Sequence, residues 1–138
     1  MAKQIEFSWP VRVYYEDTDA GGVVYYANYL KFLERARTEY LRELGFEQDQ
    51  LKQEYGIIFA VHSLTIQYRK PAVFNDALRV TAVISDKGNA RLTFKQMITR
   101  EDQNTPICSA EVSIACLDAN KFSPVRIPAH IQEVLRGN

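Results

Sequence analysis

Residues 5 to 15 hold Phe7, Val11, Val13 and Tyr15 at odd positions, with Glu6, Ser8 and Arg12 between them. That period of two predicts a half-buried strand ending near Tyr15. The next seven residues, Glu16-Asp-Thr-Asp-Ala-Gly-Gly22, are turn formers and predict a loop. From Asn28 the period changes. Tyr29, Phe32, Leu33, Ala36, Tyr40, Leu41 and Leu44 recur at helical spacing, with Lys31, Glu34, Arg35 and Glu39 largely elsewhere, which predicts a long amphipathic helix. Gly45 marks its end, and residues 47 to 55 allow a short second helix. After Gly56, Leu64, Ile66 and Tyr68 alternate with polar residues until Lys70-Pro71. Three more strand-like runs follow, Leu78 to Ser85, Arg91 to Thr99 and Pro106 to Leu117, separated by polar turns at 86–89 and 101–105. Residues 128 to 136 suit a closing helix with Pro128 in its first turn.

The order is strand, loop, long helix, then four strands joined by tight turns. This predicts an α+β fold with one antiparallel sheet of five strands covering one helix. The 138 residues contain no internal repeat and no linker rich in Pro, Gly or Ser, so residues 1–138 are expected to form one domain.

Composition narrows the functional classes. With 46% hydrophobic and 12% aromatic residues the chain can build a core, and seventeen Lys plus Arg against seventeen Asp plus Glu argues against nucleic acid as a partner. The first fifteen residues lack the apolar core of a signal peptide, and no run approaches the ~18 apolar residues of a transmembrane helix, so a soluble cytoplasmic protein is expected. Cys108 and Cys116 share strand parity, are too far apart for a CxxC pair, and are expected as two buried thiols.

Two histidines, His62 and His130, provide no obvious Ser-His-Asp or Cys-His set, and there is no HExxH helix, Walker loop or glycine fingerprint, so neither metal nor cofactor is expected. His62 reads as a structural or surface residue. The most chemically loaded passage is the acidic loop, where Asp17 and Asp19 precede Gly21-Gly22 and the run Val23-Val24-Tyr25-Tyr26. Asp-Thr-Asp before glycine is good turn chemistry in its own right. The functional alternative is a carboxylate just ahead of a helix N-terminus, whose free N–H groups can hold an oxyanion while the carboxylate attacks or deprotonates water. The residues alone leave both open. Tyr14, Tyr15, Tyr25, Tyr26, Tyr29 and Tyr40 make this third of the chain tyrosine-rich, which suits either a pocket wall or core packing.

Residues 12 to 40, RVYYEDTDAGGVVYYANYLKFLERARTEY, resemble the signature of the 4-hydroxybenzoyl-CoA thioesterase family, most closely its Tol–Pal-associated acyl-CoA thioesterase branch. The likeness extends through YRKPAVFNDAL at 68–78 and the Ala110-Glu-Val pattern. It implies a hot-dog fold, hydrolysis of acyl-CoA without a cofactor, and homodimers or homotetramers. It also implies Asp19 as the catalytic carboxylate, nucleophile or general base, with the Tyr26 backbone N–H polarising the thioester carbonyl. Asp17, Gly22 and Tyr25 would then be supporting. Lys70, Lys87 and Arg91 flank strand ends and are candidates for the CoA phosphates. Two alternatives remain at this point: a hot-dog dehydratase or hydratase, disfavoured because no His lies near the acidic loop, and a non-enzymatic scaffold that binds acyl groups or acyl carrier protein.

Overall fold

The computed structural model describes residues 6–102 and 104–136. Ile5 of the predicted first strand and Gln103 of the predicted 101–105 turn lie outside the described residues, as do the remaining terminal positions. The elements, in order, are β1 Phe7–Arg12, a single 3-10 turn Tyr15–Asp17, α1 Asn28–Glu43, α2 Gln48–Tyr55, β2 Ile57–Tyr68, β3 Ala77–Lys87, β4 Arg91–Arg100, β5 Thr105–Asp118 and α3 Ala129–Arg136. The strands form one antiparallel sheet in the order β1-β3-β4-β5-β2. This is the α+β hot-dog arrangement expected, with α1 packed on one face of the sheet.

Parity explains how sheet and helix meet. Leu78, Val80, Ala82 and Ile84 of β3, Leu92, Phe94 and Ile98 of β4, and Cys108, Ala110, Val112, Ile114 and Cys116 of β5 are buried and share even numbering. They face the α1 stripe of Tyr29, Phe32, Leu33, Ala36, Tyr40 and Leu41. Burying each large side chain contributes about 1.5–3 kcal/mol. Both cysteines are free and buried.

One polar clasp interrupts this apolar seam. Arg37 is only 8% exposed, and its Nη1 donates to Gln96 Oε1 at 3.0 Å. Gln96, itself buried on the inner face of β4, donates in turn from Nε2 to the Leu33 carbonyl at 3.1 Å. Burial pushes the guanidinium's pKa below its ordinary value, opposed by the charge of Glu34.

The helix stops where glycine permits it. Gly45 has φ 98°, its N–H bonds to the Arg42 carbonyl at 2.9 Å, and the Phe46 N–H reaches the Leu41 carbonyl at 2.8 Å. That pair of bonds is a Schellman cap. The short helix anticipated over 47–55 is α2, closed by Gly56 at φ 66°.

The first strand is shorter than its pattern suggested. Alternation carries on through Val13, which is buried, but ladder pairing ends at Arg12 and the chain folds into the 3-10 turn, leaving Tyr15 75% exposed. A local turn closed by Asp17 wins over strand propensity here. Pro10 sits within β1, where a missing N–H is tolerated because β1 is an edge of the sheet. The other edge is β2, twelve residues long, with Val61, Leu64 and Tyr68 exposed.

Candidate active site

Asp17 and Asp19, two residues apart, do different work. The Asp17 carboxylate is 6% exposed and turns back on its own loop: Oδ2 accepts the Tyr14 N–H at 2.8 Å and Oδ1 accepts Asn28 Nδ2 at 3.0 Å. Its carbonyl accepts the Tyr25 N–H at 2.9 Å. One residue thus ties the end of the first strand, the loop and the first residue of α1 together.

Asp19 lies beyond it on a small hairpin. Thr18 pairs with Val24, the Asp19 N–H bonds to the Val23 carbonyl at 2.9 Å, and the Gly22 N–H closes the turn on the Asp19 carbonyl at 2.9 Å. Gly22 has φ 82°, a conformation that favours glycine. The Asp19 carboxylate is exposed; Oδ1 accepts the Gly21 N–H at 2.8 Å, and Oδ2 has no hydrogen-bond partner among the described residues. A Cβ on Gly21 would stand 3.2 Å from Oδ1, so glycine at this position makes room for the acid.

The hairpin is braced from the far side by residues 71–76. Val23 pairs with Val73, the Val24 N–H bonds to the Ala72 carbonyl at 2.8 Å, and the Ala72 N–H donates to the Tyr29 hydroxyl oxygen at 3.0 Å. Arg100 clamps this segment, donating to the Pro71 carbonyl at 3.0 Å and to Asp76 Oδ2 at 3.1 Å, an oxygen that also accepts the Val73 N–H.

The helix begins uncapped. Ala27 occupies the N-cap position and supplies no side-chain acceptor, where Ser, Thr, Asp or Asn are the usual residues. The Asn28 N–H bonds to the Tyr25 carbonyl at 2.8 Å, whereas the N–H groups of Tyr26 and Ala27 have no acceptor among the described residues. Two open donors at the positive end of a sixteen-residue helix form an anion-holding arrangement. Beside them runs an open groove of about 260 Å³ lined by Val24, Tyr26, Tyr29, Tyr68, Arg69, Lys70 and Pro71.

Of the residues singled out from sequence, Asp17, Asp19, Gly22, Tyr25, Tyr26 and Lys70 come together here. Lys87 and Arg91 do not. They flank the β3–β4 turn, whereas the acidic loop joins the other end of β3 through the Val13 N–H to Asp76 carbonyl bond. A ten-residue step along a strand is roughly 30 Å. Lys87 lines a small pocket with Asn89 and Gln132, and Arg91 lines a groove with Asp86, Phe122 and an exposed His62, the extra residue of a β2 bulge. The tyrosines divide: Tyr29 and Tyr40 are core, while Tyr14, Tyr15, Tyr25 and Tyr26 are exposed.

Sequence reading passed over Asn28, Tyr68 and the Arg100–Asp76 clamp. Asn28 had a signal, since a polar residue starting an apolar helix stripe and buried at 8% needs a partner. Tyr68 had none beyond its strand position.

A family model described as the thioesterase-like superfamily matches residues 13–135. An acyl-CoA thioesterase YbgC of Haemophilus influenzae is 49% identical over 127 residues, covering 91% of each chain. Among solved structures, a probable thioesterase from Bartonella henselae superposes with a TM-score of 0.85 at 34% identity, over 90% of this chain and 100% of the other. A 4-hydroxybenzoyl-CoA thioesterase variant solved with 4-hydroxybenzoyl-CoA has a TM-score of 0.87 at 19% identity, over 94% and 98%, a likeness of fold.

Proposed function

This chain belongs to the thioesterase-like superfamily and is an acyl-CoA thioester hydrolase; from that premise we propose that Asp19 is its catalytic carboxylate and that the open N–H groups at the start of α1 hold the thioester oxygen. The observation that carries this reading is the pairing of an exposed carboxylate having one oxygen without a partner among the described residues with main-chain donors that lack acceptors among them. The hairpin sets Asp19 opposite Val23, and the short segment from Val23 to Tyr26 links that carboxylate's hairpin to the open donors at the start of α1.

Asp19 attacks the thioester carbonyl carbon to give a mixed anhydride and CoA thiolate, which water then cleaves, or it removes a proton from a water that attacks directly. Either route builds negative charge on the carbonyl oxygen, and preorganised N–H groups lower that barrier. The products are the free carboxylic acid and CoA. Asp17, with both oxygens engaged, serves as scaffold, and Gly22 and Tyr25 shape the hairpin and its link to Asp17.

Lys70, at the groove mouth beside Arg69, is the phosphate-binding candidate this chain itself provides. Lys87 and Arg91 can share that task only from another copy. We propose a homodimer, open to further pairing as a homotetramer, built on the long unpaired edge of β2 with its exposed Val61 and Leu64.

The test is thiol release from a panel of aliphatic and aromatic acyl-CoAs by wild type and by Asp19→Asn, with folding and mass checked by circular dichroism and light scattering. Wild-type turnover with at least a ~10³-fold loss in the folded variant supports the assignment. A variant as fast as wild type removes Asp19 from the mechanism.

A further inference from the structure

The two open N–H groups do not stand free; each belongs to a peptide plane whose opposite end is held. A peptide unit is planar and trans, so its C=O and N–H point in opposite directions and fixing one aims the other. The Tyr25 carbonyl shares a plane with the Tyr26 N–H and accepts the Asn28 N–H at 2.8 Å. The Tyr26 carbonyl shares a plane with the Ala27 N–H and accepts the Tyr68 hydroxyl at 3.0 Å. The first of these bonds is local to the helix start. The second comes from the last residue of β2, forty-two positions along the chain.

We infer that Tyr68 is a positioning residue for thioester hydrolysis: its hydroxyl, by gripping the Tyr26 carbonyl, aims the N–H group of Ala27 at the substrate oxygen, beside the Tyr26 N–H whose own peptide is held by the Asn28 bond. This rests on the reading of the α1 start as the oxyanion site. Four features support it. With Ala27 as N-cap, no side chain orders these peptides from within the loop. The Tyr68 ring is itself held, edge-on to Tyr26 at 6.5 Å and tilted against Tyr29 at 5.5 Å, and its backbone pairs with Cys108 of β5. A hydrogen bond accepted at a carbonyl also polarises the N–H of the same peptide, strengthening it as a donor. Burial, with Cys108 and Tyr26 nearby, raises the Tyr68 phenol above its ordinary pKa, so it remains a donor through the working range of pH.

Tyr68 is 46% exposed, so Tyr68→Phe removes the hydroxyl without opening the core. The first readout is kinetic. Losing an oxyanion donor outright costs about 10²–10³ in kcat, and misaiming one costs less, so kcat is expected to fall about 10–100-fold with KM within about threefold. The second is spectroscopic. An acyl-CoA carrying ¹³C at its thioester carbonyl is bound to folded Asp19→Asn protein, and its carbonyl stretch is measured by difference infrared spectroscopy with Tyr68 intact and with Tyr68→Phe added. The expected result is a bound carbonyl displaced to lower frequency, with at least half of that displacement lost in the double variant. A Tyr68→Phe enzyme with unchanged kcat and an unchanged carbonyl band overturns the inference. So does a pattern in which Tyr68→Leu is impaired while Tyr68→Phe matches wild type, because ring packing alone would explain it. If the band is not displaced even with Tyr68 intact, or Asp19→Asn turns over normally, the oxyanion-site reading fails and this inference fails with it, a result distinct from the loss of Tyr68 alone.

Discussion

Removing the Asp17 carboxylate tests whether the loop's two acids are separate in function. Asp17→Ala leaves the Tyr14 N–H and the Asn28 amide without their acceptor, in a place only 6% exposed. Hydrogen bonds to a charged group contribute about 1.5–3 kcal/mol each, so two of them put the expected loss at about 3–6 kcal/mol. Against the ~5–15 kcal/mol of a typical domain, that leaves a folded but weakened protein. Asp17→Asn should cost far less, about 1 kcal/mol. Its Oδ1 can keep the Tyr14 N–H, and its Nδ2 can donate to Asn28 once that amide rotates to present oxygen. The assay is urea unfolding followed by circular dichroism at one fixed protein concentration, since association would couple to stability. Combining Asp17→Ala with Asn28→Ala should recover about 1–2 kcal/mol of coupling. Turnover by Asp17→Asn should stay within about tenfold of wild type, because the replaced group holds the loop and leaves the Asp19 oxygen untouched. Equal destabilisation by Asn and Ala, or a loss of turnover in Asp17→Asn as deep as that of Asp19→Asn, would refute the division of labour.

Other outcomes follow from single contacts. Gly21→Ala places a methyl 3.2 Å from Asp19 Oδ1, so kcat should fall about tenfold or more with the unfolding midpoint little changed; normal kcat would mean the carboxylate's position is not critical. Arg37→Met should leave stability within about 1 kcal/mol of wild type, whereas Gln96→Leu strands a buried guanidinium and should cost about 3 kcal/mol; the reverse order in denaturant titrations would dismiss the clasp. Burial pushes the Cys108 thiol up to about 12 and Cys116 to about 11 from an ordinary 9.0. Unfolded thiols therefore ionise first, so this contribution to stability is full below pH ~9 and is lost as pH rises toward ~11–12, by about 1.4 kcal/mol per thiol per unit. In the same way, native protein at pH 8 should resist a thiol reagent that labels unfolded chain at once; rapid labelling of both would contradict their burial.

Periodicity served well where side chains repeat. The even-numbered core of β3, β4 and β5 and the stripe of α1 follow from spacing alone, because a sheet face and a helix face each need only a regular apolar row. It failed where one polar contact decides. Tyr15 matched the alternation of β1, yet the Asp17 carboxylate and Tyr14 N–H form a local turn that takes it out of the strand. Arg37 gave no sign of burial, since its acceptor, Gln96, lies fifty-nine residues away.

The same division holds at the site. The amino-acid order determined the acidic turn, the glycines that allow it and a helix starting at Asn28 with no capping side chain, all of them local matters of φ, ψ and near neighbours. It also carried a recognisable family signature across residues 12–40. Which acid is buried and which is open, that Lys70 stands at the groove while Lys87 and Arg91 stand roughly 30 Å off, and that Tyr68 grips the Tyr26 carbonyl were decided only by the tertiary structure. These depend on strand order β1-β3-β4-β5-β2, which brings residues from the two edges and the centre of the sheet to one end of α1. No spacing along the chain encodes a meeting of that kind, because it is the packing of the whole sheet around the helix that sets those distances.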